Sequence, residues 1–513
     1  MREVEAKFRV HAAYRLPEVA GHAAGVAAMD APVAQELRAV YWDSADLRLA
    51  REGITLRHRS GEGDKDGWHL KLPVHEAGVP DAGTGTREEL HATGPDDAVP
   101  DELRSLVAVH LRSAVVGPVA TLVTARSTYA LRDADGNVVA ELTDDLVSVL
   151  NQGHVAAKFR EIEVEDAGGG IDVLRAVGDV LRSAGAVGGE FVPKVVRALG
   201  PRATADPDPP KPEPVALDDP ARLAVVAVLR RYVRAFMAQD PAVRRERPDS
   251  IHQMRVAARR LRSALKTFGP LVDDVWAKSL REELKWVADS LGAARDNEVL
   301  LARLQRDLDA LPVELVLGPV RARIDAHLGG DLVRARIAAA ETLETERYLA
   351  LVDRLVDAAW DPMTTGLAEE TTGRALPECV GSAWKRLARD AARLRRPSTT
   401  EKSATEEDWH EARIAAKQVR YACEAVAPFF GKAAKALAVR AEEVQEVLGE
   451  HQDAAIASAV LRRLAVAPRP TTGGFTLGLL YARQRDAMAA AQSQFTGVWA
   501  ETAKDKYRKW LRA

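Results

Sequence analysis

The sequence is poor in cysteine, with only Cys379 and Cys423 among 513 residues. This scarcity argues against a disulfide scaffold and against a metal site built from cysteine. Aromatic residues make up 5% of the chain, which disfavours single-stranded nucleic acid as a ligand because such ligands are held by stacking. The net charge of −3 indicates no partner, so any anion site has to come from local clusters of Arg and Lys.

Long apolar runs are also missing. The most apolar stretch, around residues 109–125, is interrupted by Arg112 and Pro118, so no segment is predicted to span a bilayer. The N-terminus enters a strand pattern directly, unlike a secretory signal peptide. With 47% hydrophobic and 29% charged residues, the chain is predicted to be a soluble, cytoplasmic protein with more than one domain.

The first predicted strand is charged on one face. Side chains alternate between the two faces of a strand, so Glu3, Glu5 and Lys7 share one face and the apolar residues between them share the other. Two carboxylates beside an ammonium group suit a site that holds a divalent metal and phosphate together. An edge strand with a solvated face is the alternative interpretation.

The same alternation of a charged and an apolar face recurs along the first 200 residues. The charged positions are, in chain order, Arg57, Arg59, Lys71, Arg87, Glu89, Arg126, Glu141, Asp145, Glu161, Glu163 and Glu165, followed by Lys194. About eight such strands can close into a barrel with a charged lumen, with helices predicted at 16–29, 96–108 and 171–184 to cover its apolar exterior. Such a lumen would hold a polyanion together with cations, because unpaired buried charges are too costly to persist. A sheet that is solvated on its charged face is the alternative.

These motifs, in this order, resemble the CYTH superfamily, the triphosphate tunnel metalloenzymes, over residues 1–200. The resemblance implies an α+β domain with an eight-stranded antiparallel β-tunnel and flanking helices. It implies hydrolysis of inorganic triphosphate with Mg²⁺ or Mn²⁺. It also implies phosphate binding by Lys7, Arg57, Arg59, Lys71, Arg87, Arg126 and Lys194. The implied metal ligands are Glu3, Glu5, Asp145, Glu161 and Glu163, and the implied catalytic residues are Glu3, Glu5 and Lys7.

Several roles within this resemblance stay open. The sequence does not choose between Glu3 and Glu5 as the base, and Glu89 is either a partner of the lumen arginines or a catalytic group, as is Glu141. Glu165 is expected to be solvated beyond the end of the tunnel. An adenylyl cyclase and a thiamine-triphosphatase-like enzyme are alternative activities on the same fold.

The second half of the chain has a different pattern. Residues 201–216 are rich in proline and predict an extended linker. From residue 217 to 513 the apolar periodicity is helical, and an internal repeat divides this part at about 218–365 and 370–513. In the repeat, residues 249–262 match 408–420, and residues 291–296 match 448–453.

Basic residues in both copies of the repeat follow a spacing of three and four, which places them in one narrow stripe on a helix. The first stripe is His252, Arg255, Arg259, Arg262 and Lys266, and the second is His410, Arg413, Lys417 and Arg420. Like charges at this spacing repel each other by about 0.2–0.5 kcal/mol per pair, and residues 251–266 contain no acid. We therefore expect two facing stripes that bind a flexible polyanion, with a solvated helix face as the alternative.

These helices, together with the two Leu-Gly-x-x-x-Asp motifs, resemble the CHAD domain, the conserved histidine α-helical domain. The resemblance implies an all-α domain of two pseudo-symmetric four-helix bundles that binds inorganic polyphosphate through both stripes. Asp296 and Asp453 are expected to cap helices that begin after glycine turns. A non-catalytic protein that binds polyphosphate or is targeted to polyphosphate granules is a further alternative. Nucleic acid is not expected as a partner, and no protein partner is predicted.

Overall fold

The structure is a computed structural model that describes residues 2–73, 85–188, 192–395, 404–466 and 473–512. Within these ranges, the side chains of residues 2, 3, 85, 86, 293–295, 331 and 332 lie outside the description. The chain separates into two compact units, residues 1–208 and 209–513, and each is described by itself. The boundary between them falls within the segment 201–216 that was predicted to be a linker.

The first unit is built around a closed antiparallel sheet. In the described residues its strands are β1 (Arg2–Val10), β2 (Ala28–Met29), β3 (Val33–Ser44), β4 (Thr55–Ser60), β5 (Gly67–Pro73), β6 (Gly85–Ala92), β7 (Val116–Arg132), β8 (Val138–Asn151), β9 (His154–Asp166) and β10 (Val187–Gly188). The order around the barrel is β1-β6-β5-β4-β3-β7-β8-β9, and β9 pairs with β1, so eight strands close on themselves. The short strands β2 and β10 add to β7 and β1. The predicted eight-stranded antiparallel tunnel is confirmed, with two short strands in addition.

Two of the four helices in the described part of the first unit cover the apolar exterior of the barrel. The helices of this unit are α1 (Arg48–Arg51), α2 (Asp101–Leu111), α3 (Gly170–Ser183) and α4 (Lys194–Leu199). Phe8 and Ile162 pack with Val177 of α3 in one core, and Trp68 packs with Leu106 of α2 in another. These outward residues alternate with the charged ones along their strands, as the period of two requires.

The helix predicted at 16–29 is wrong. Residues 16–27 form turns and extended chain that end in β2. Gly21 and Gly25 have φ angles of 72° and 86°, and these left-handed conformations end a right-handed helix. The apolar residues that suggested a helix are nevertheless buried, since Val19 and Val26 pack in the same core as α3.

Helix α4 packs against the inner surface of the barrel. Ala39, Tyr41 and Leu122 line the central cavity, and they share a hydrophobic core with Val195 and Val196 of α4. The helix therefore fills part of the lumen, and its first residue, Lys194, is carried into the cavity.

The second unit is all helical, as predicted. Its helices are α5 (Ala221–Met237), α6 (Asp240–Arg244), α7 (Ser250–Thr267), α8 (Asp274–Ser290), α9 (Gly292–Asp309), α10 (Val320–Leu343), α11 (Glu346–Trp360), α12 (Thr372–Leu394), α13 (Glu406–Ala465) and α14 (Gly474–Thr502). Helices α5, α7, α8 and α11 pack on one another, and α12 and α14 pack on α13. The non-helical Gly431, with φ 55°, divides α13 into two arms, so the second group also contains four helical segments. Helices α9 and α10 pack together and join the ends of α13 and α14 in a shared core.

Only the first of the two predicted glycine turns is present. Leu291 forms a single turn residue between α8 and α9, which begins at Gly292, whereas Gly449 lies within the second arm of α13. Asp296 and Asp453 therefore do not cap helices; they lie 3.1 Å from Nη1 of Arg255 and 3.5 Å from Nη2 of Arg413, respectively.

The glycines of these motifs lie beside the arginines of the stripes. A Cβ atom at Gly292 would lie 3.2 Å from Nη2 of Arg255, which is a tight contact, whereas one at Gly449 would lie 3.7 Å from the guanidinium of Arg413, which is an ordinary contact. The absence of a side chain therefore makes room for the arginine at Gly292, and in both motifs the aspartate is the partner of the arginine. None of the helices in the described part of the chain combines the length and the apolar character that a membrane span requires.

Candidate functional site

The barrel encloses a cavity of about 1050 Å³. The predicted site residues that line it are Glu5, Lys7, Arg57, Arg59, Lys71, Arg87, Arg126, Glu163 and Lys194. Asp145 and Glu161 are buried next to it and contact Lys194. The side chain of Glu3 lies outside the described residues, although its backbone pairs with Arg87 across β1 and β6.

Strands β1, β9 and β8 form an acidic wall. Glu5 is the register partner of Glu165, and Glu165 is the partner of Glu141. The expectation that Glu165 is solvated beyond the tunnel is wrong, because β9 continues past it to Asp166 and Glu165 lines the cavity. Burial, supported by Glu5 and Glu141 and opposed by Lys71, raises the pKa of Glu165.

Lys194 lies at the centre of three buried acids. Its Nζ atom is 2.8 Å from Glu161, 2.8 Å from Glu163 and 3.0 Å from Asp145. Burial alone would lower the pKa of Lys194, but the three carboxylates outweigh it and raise that pKa well above its usual value. The ammonium group is therefore held in its charged form.

Two other cations, Arg126 and Lys7, also contact the acids around Lys194. Arg126 donates two hydrogen bonds to Asp145, at 2.8 Å and 2.7 Å, in the bidentate geometry that strengthens such pairs. Lys7 forms an ion pair with Glu163 and lies 3.4 Å from Glu5. Burial would raise the pKa of Glu163, but Lys194, Lys7 and Arg126 together hold it well below its usual value. These residues form one connected network of alternating charge.

Strands β4, β5 and β6 form a basic wall around Glu89. Its carboxylate lies 3.8 Å from Arg57, 3.3 Å from Lys71 and 2.8 Å from Nδ1 of His69. Burial together with Arg57 outweighs the hydrogen bond that His69 donates to Glu89 and lowers the pKa of His69. Of the two interpretations that the sequence left open for Glu89, this geometry matches a partner of the lumen cations.

The sequence-based prediction missed several residues of the tunnel. His69 and His91 line the cavity with their rings 4.9 Å apart; they lie two residues from Lys71 and Glu89 on the same strand faces, a signal that could have identified them. Arg197 of α4 lies 2.8 Å from Glu161.

The donor chemistry of the acidic wall fits a divalent metal. Mg²⁺ and Mn²⁺ prefer carboxylate oxygens, and three such side chains, Asp145, Glu161 and Glu163, lie together beside the cavity. In the described part of the chain, however, no three His, Cys, Asp or Glu side chains converge on a single metal position. Asp145, Glu161 and Glu163 converge on Lys194 instead.

The second unit brings the two basic stripes together. Helix α7 contacts the first arm of α13, and the cationic groups of Arg255, Arg259, Arg413 and Lys417 lie close enough to influence one another. Burial, with Arg413, Arg259 and Arg255 nearby and Asp453 opposing, lowers the pKa of Lys417 to about 7. These four residues therefore form one crowded cationic cluster, which we call the α7–α13 cluster.

A second basic group lies beyond this cluster. Burial, together with Arg386 of α12 and Arg281 of α8, lowers the pKa of Lys266, and burial also lowers that of Arg262 near Arg281. Arg281 was not among the predicted residues, because it belongs to neither stripe. The basic surface of this unit thus includes cations from helices that sequence spacing does not connect.

The remaining stripe residues are partly engaged by the protein itself. Arg420 lies 2.8 Å from Glu424 and 2.8 Å from Glu442, so it is less available to a ligand than Lys417. Nδ1 of His410 lies 3.3 Å from Gln452, and His252 occupies the start of the first stripe on α7.

Comparisons with known proteins agree with this division. Family models match the CYTH domain over residues 1–194 and the CHAD domain over residues 227–462. The chain is 36% identical over 521 aligned residues to the uncharacterized protein Rv2226 of Mycobacterium tuberculosis H37Rv, covering 96% of this chain and 94% of that protein. The uncharacterized protein MT2285 of strain CDC 1551 matches with the same identity and coverage.

Two solved structures are also similar to the chain. PptA from Streptomyces chartreusis has 26% identity and a TM-score of 0.46, with 55% of this chain and 100% of that chain covered. The CHAD domain from the plant Ricinus communis has 26% identity and a TM-score of 0.39, with coverages of 59% and 95%. CYTH domains belong to the triphosphate tunnel metalloenzymes, which generally depend on divalent metals. The chain belongs to the family of proteins in which a CYTH domain is followed by a CHAD domain.

Proposed function

We propose that the first unit hydrolyses inorganic triphosphate to diphosphate and orthophosphate with Mg²⁺ or Mn²⁺, and that the second unit binds polyphosphate. The observation that carries the first part is the arrangement of one cavity with a basic wall opposite an acidic wall. A triphosphate needs cations along its chain and acids that hold a metal and accept a proton, and both sets line the same space.

The basic wall would bind the phosphate chain. Arg57, Arg59, Lys71 and Arg87 belong to adjacent strands and line the cavity, and guanidinium groups match the geometry of phosphate oxygens. On the other side, Arg126 and Lys7 are already oriented by acids. Because these side chains are held before a ligand arrives, little ordering is needed when the phosphate chain binds.

The acidic wall would hold the metal and receive the proton. Asp145, Glu161 and Glu163, with Glu5, supply the carboxylates for Mg²⁺ or Mn²⁺, and a bound metal would neutralise phosphate charge and acidify the attacking water. Glu5 lines the cavity and lies 3.4 Å from Lys7, whereas Lys194 is surrounded by the other three acids, so we propose Glu5 as the proton acceptor. Water oxygen bonds to the terminal phosphorus, the bridging P–O bond breaks, and diphosphate leaves.

Phosphate release tests this proposal. Full-length protein should release orthophosphate from tripolyphosphate in the presence of Mg²⁺ or Mn²⁺, and Glu5→Gln should lower kcat by at least about 100-fold, as expected for loss of a general base. The exposed Glu18 provides the matched control, and Glu18→Gln should keep full activity. A wild-type protein without phosphatase activity, or an active Glu5→Gln variant, would refute the proposal. ATP serves as a second substrate, because a cyclase would instead release diphosphate and a cyclic nucleotide.

Polyphosphate binding by the second unit rests on the α7–α13 cluster. Arg259 is partly buried among Arg255 and Arg413, and burial with these like charges lowers its pKa, so a polyanion would relieve repulsion there. In a competition titration at several salt concentrations, polyphosphate should displace duplex DNA. Arg259→Gln should weaken polyphosphate binding, whereas the same change at the exposed Arg306 of α9 should not. Equal binding by both variants would contradict the assignment.

A further inference from the structure

Lys194 occupies the place among the acids where a divalent ion would be expected. Three carboxylates lie within 3.0 Å of its Nζ atom, and its side chain is 9% exposed. Three carboxylate oxygens at this distance are a complete set of partners for one ammonium group, which has three protons to donate. The positive charge that the acids require is therefore already supplied by the protein.

The position of Lys194 is fixed by the fold. It is the first residue of α4, which is anchored to the inner wall through Val195 and Val196. Arg197, one turn later, holds Glu161 at 2.8 Å. Withdrawal of the ammonium group without a replacement cation would leave buried carboxylates unpaired, which is costly.

A divalent ion that entered this site alone would meet two obstacles. Asp145 and Glu163 would have to release Lys194, and Arg126 would stay within hydrogen-bonding distance of Asp145. The metal would also bring two positive charges into a region where Lys7 and Lys194 are already charged. A phosphate chain removes both obstacles, because its oxygens can accept the displaced ammonium group and balance the added charge.

We propose that Lys194 is a resident counter-cation that keeps divalent metal out of the free tunnel, so that metal and phosphate chain bind together. This inference rests on the proposed function in one respect, that the acidic wall holds the metal. Binding linkage is reciprocal, so the phosphate chain must raise metal affinity by the same factor by which metal raises affinity for the chain. Lys194 acts here as a positioning residue for both ligands.

Equilibrium dialysis of the full-length protein against Mn²⁺ tests the linkage, because it measures metal held by protein even when a small chelator is present on both sides of the membrane. The phosphate ligand is the tripolyphosphate analogue with methylene groups in both bridging positions, which cannot be hydrolysed there. Wild-type protein should hold Mn²⁺ at least about tenfold more tightly with the analogue than without it, within the usual range of coupling between two ligands. Lys194→Met should bind Mn²⁺ tightly without the analogue, and Lys194→Arg, which keeps the charge, should behave like wild type.

Three further measurements test whether the change in Mn²⁺ affinity arises at the Lys194 site. Lys158→Met removes an exposed lysine from β9 and should leave Mn²⁺ binding unchanged. Glu163→Gln should abolish the analogue-dependent Mn²⁺, and analogue-dependent Mn²⁺ that survives this change would overturn the inference. Equal Mn²⁺ affinity of the wild-type protein with and without the analogue would also overturn it, and that comparison needs no variant to fold.

The linkage and the proposed reaction can fail separately. A protein that shows the linkage but releases no phosphate from tripolyphosphate would support the inference and refute the reaction. A protein that hydrolyses tripolyphosphate yet holds Mn²⁺ tightly in the free state would support the reaction and refute the inference.

Discussion

We expect Lys417 to make polyanion binding by the helical unit dependent on pH. Its amine is surrounded by Arg413 on its own helix and by Arg255 and Arg259 of α7, with Asp453 as the opposing acid. Burial and these like charges lower the pKa of Lys417 to about 7, from an ordinary value of 10.5. The amine is therefore partly neutral at physiological pH in the free protein, and a bound polyanion would restore its charge.

The size of the effect follows from this pKa. In the free protein Lys417 is about half protonated at pH 7 and about one-tenth protonated at pH 8. If a bound polyanion returns the pKa to 10.5 or above, binding takes up close to one proton at pH 8. Affinity for polyphosphate should then fall by about tenfold between pH 6 and pH 8, equivalent to about 1.4 kcal/mol.

Calorimetric titration with long-chain polyphosphate at constant ionic strength measures this dependence. Titrations in two buffers with different ionisation enthalpies report the number of protons taken up. Lys417→Arg keeps its charge throughout this range, so its binding should lose the part of the pH dependence that Lys417 causes. The histidines of the stripes, His252 and His410, are present in both proteins and therefore cannot cause a difference between them. Lys432→Arg, at an exposed position, is the control, and identical pH profiles for the wild-type and Lys417→Arg proteins would refute the reasoning.

The lowered pKa of Lys417 should also affect the stability of the free protein. The free energy of unfolding should rise with pH, whereas the affinity for polyphosphate falls. Below pH 7 both the folded and the unfolded chain carry the proton on Lys417. Between pH 7 and 10.5 only the unfolded chain keeps it, so the contribution of Lys417 to the free energy of unfolding rises with pH in that window. Thermal melts without ligand should therefore show a smaller rise with pH for Lys417→Met than for wild type.

Two further predictions concern the tunnel unit. Glu89→Gln should lower kcat for tripolyphosphate by about tenfold, because Arg57 and Lys71 lose the carboxylate that orients them. KM should not rise, because the two cations no longer have to leave Glu89 to bind the substrate. A raised KM at unchanged kcat would contradict this role. Leu142→Ala, at a fully buried position of the outer core, should lower the free energy of unfolding by about 2–5 kcal/mol in denaturant titrations, and a loss below about 1 kcal/mol would mean that this core is looser than its burial indicates.

Alternation of charge along the strands predicted which face each side chain lies on, while the closed eight-stranded tunnel followed from the resemblance to the CYTH superfamily. A shift of one residue in register would exchange the two faces of a strand, so the side on which Glu5, Arg57 and Glu163 lie could be read from the sequence. The length of a strand could not be read in the same way, which is why Glu165 was placed outside the tunnel although β9 continues beyond it. Helical spacing likewise failed at 16–29, where the positive φ angles of Gly21 and Gly25 outweigh the apolar pattern.

Contacts between segments that are far apart in the chain could not be predicted from the sequence. The ion pairs of Lys194 depend on how α4 packs against the inner wall, which is a property of the tertiary structure. The acids that face the basic stripes come from other helices or from other parts of the same helix, such as Asp296 beside Arg255 and Asp453 beside Arg413. Spacing along one helix could predict the stripes but not these partners.

The electrostatics of the two units point to different ways of binding phosphate. In the tunnel, acids outweigh burial and raise the pKa values of Lys7 and Lys194, so these two ammonium groups are already compensated, and we expect a phosphate chain to exchange partners with their acids. In the helical unit, burial and like charges lower the pKa values of Lys266 and Lys417, so its cations are under-compensated and attract a polyanion directly. When a phosphate chain takes the lysines from their acids, the acids need a new cation, so a phosphate chain that brings a divalent metal is favoured. Direct attraction of a polyanion to the helical unit needs no metal, and it weakens as salt screens the charges. Phosphate binding in the tunnel should therefore depend on divalent metal, and phosphate binding by the helices should depend on ionic strength and pH.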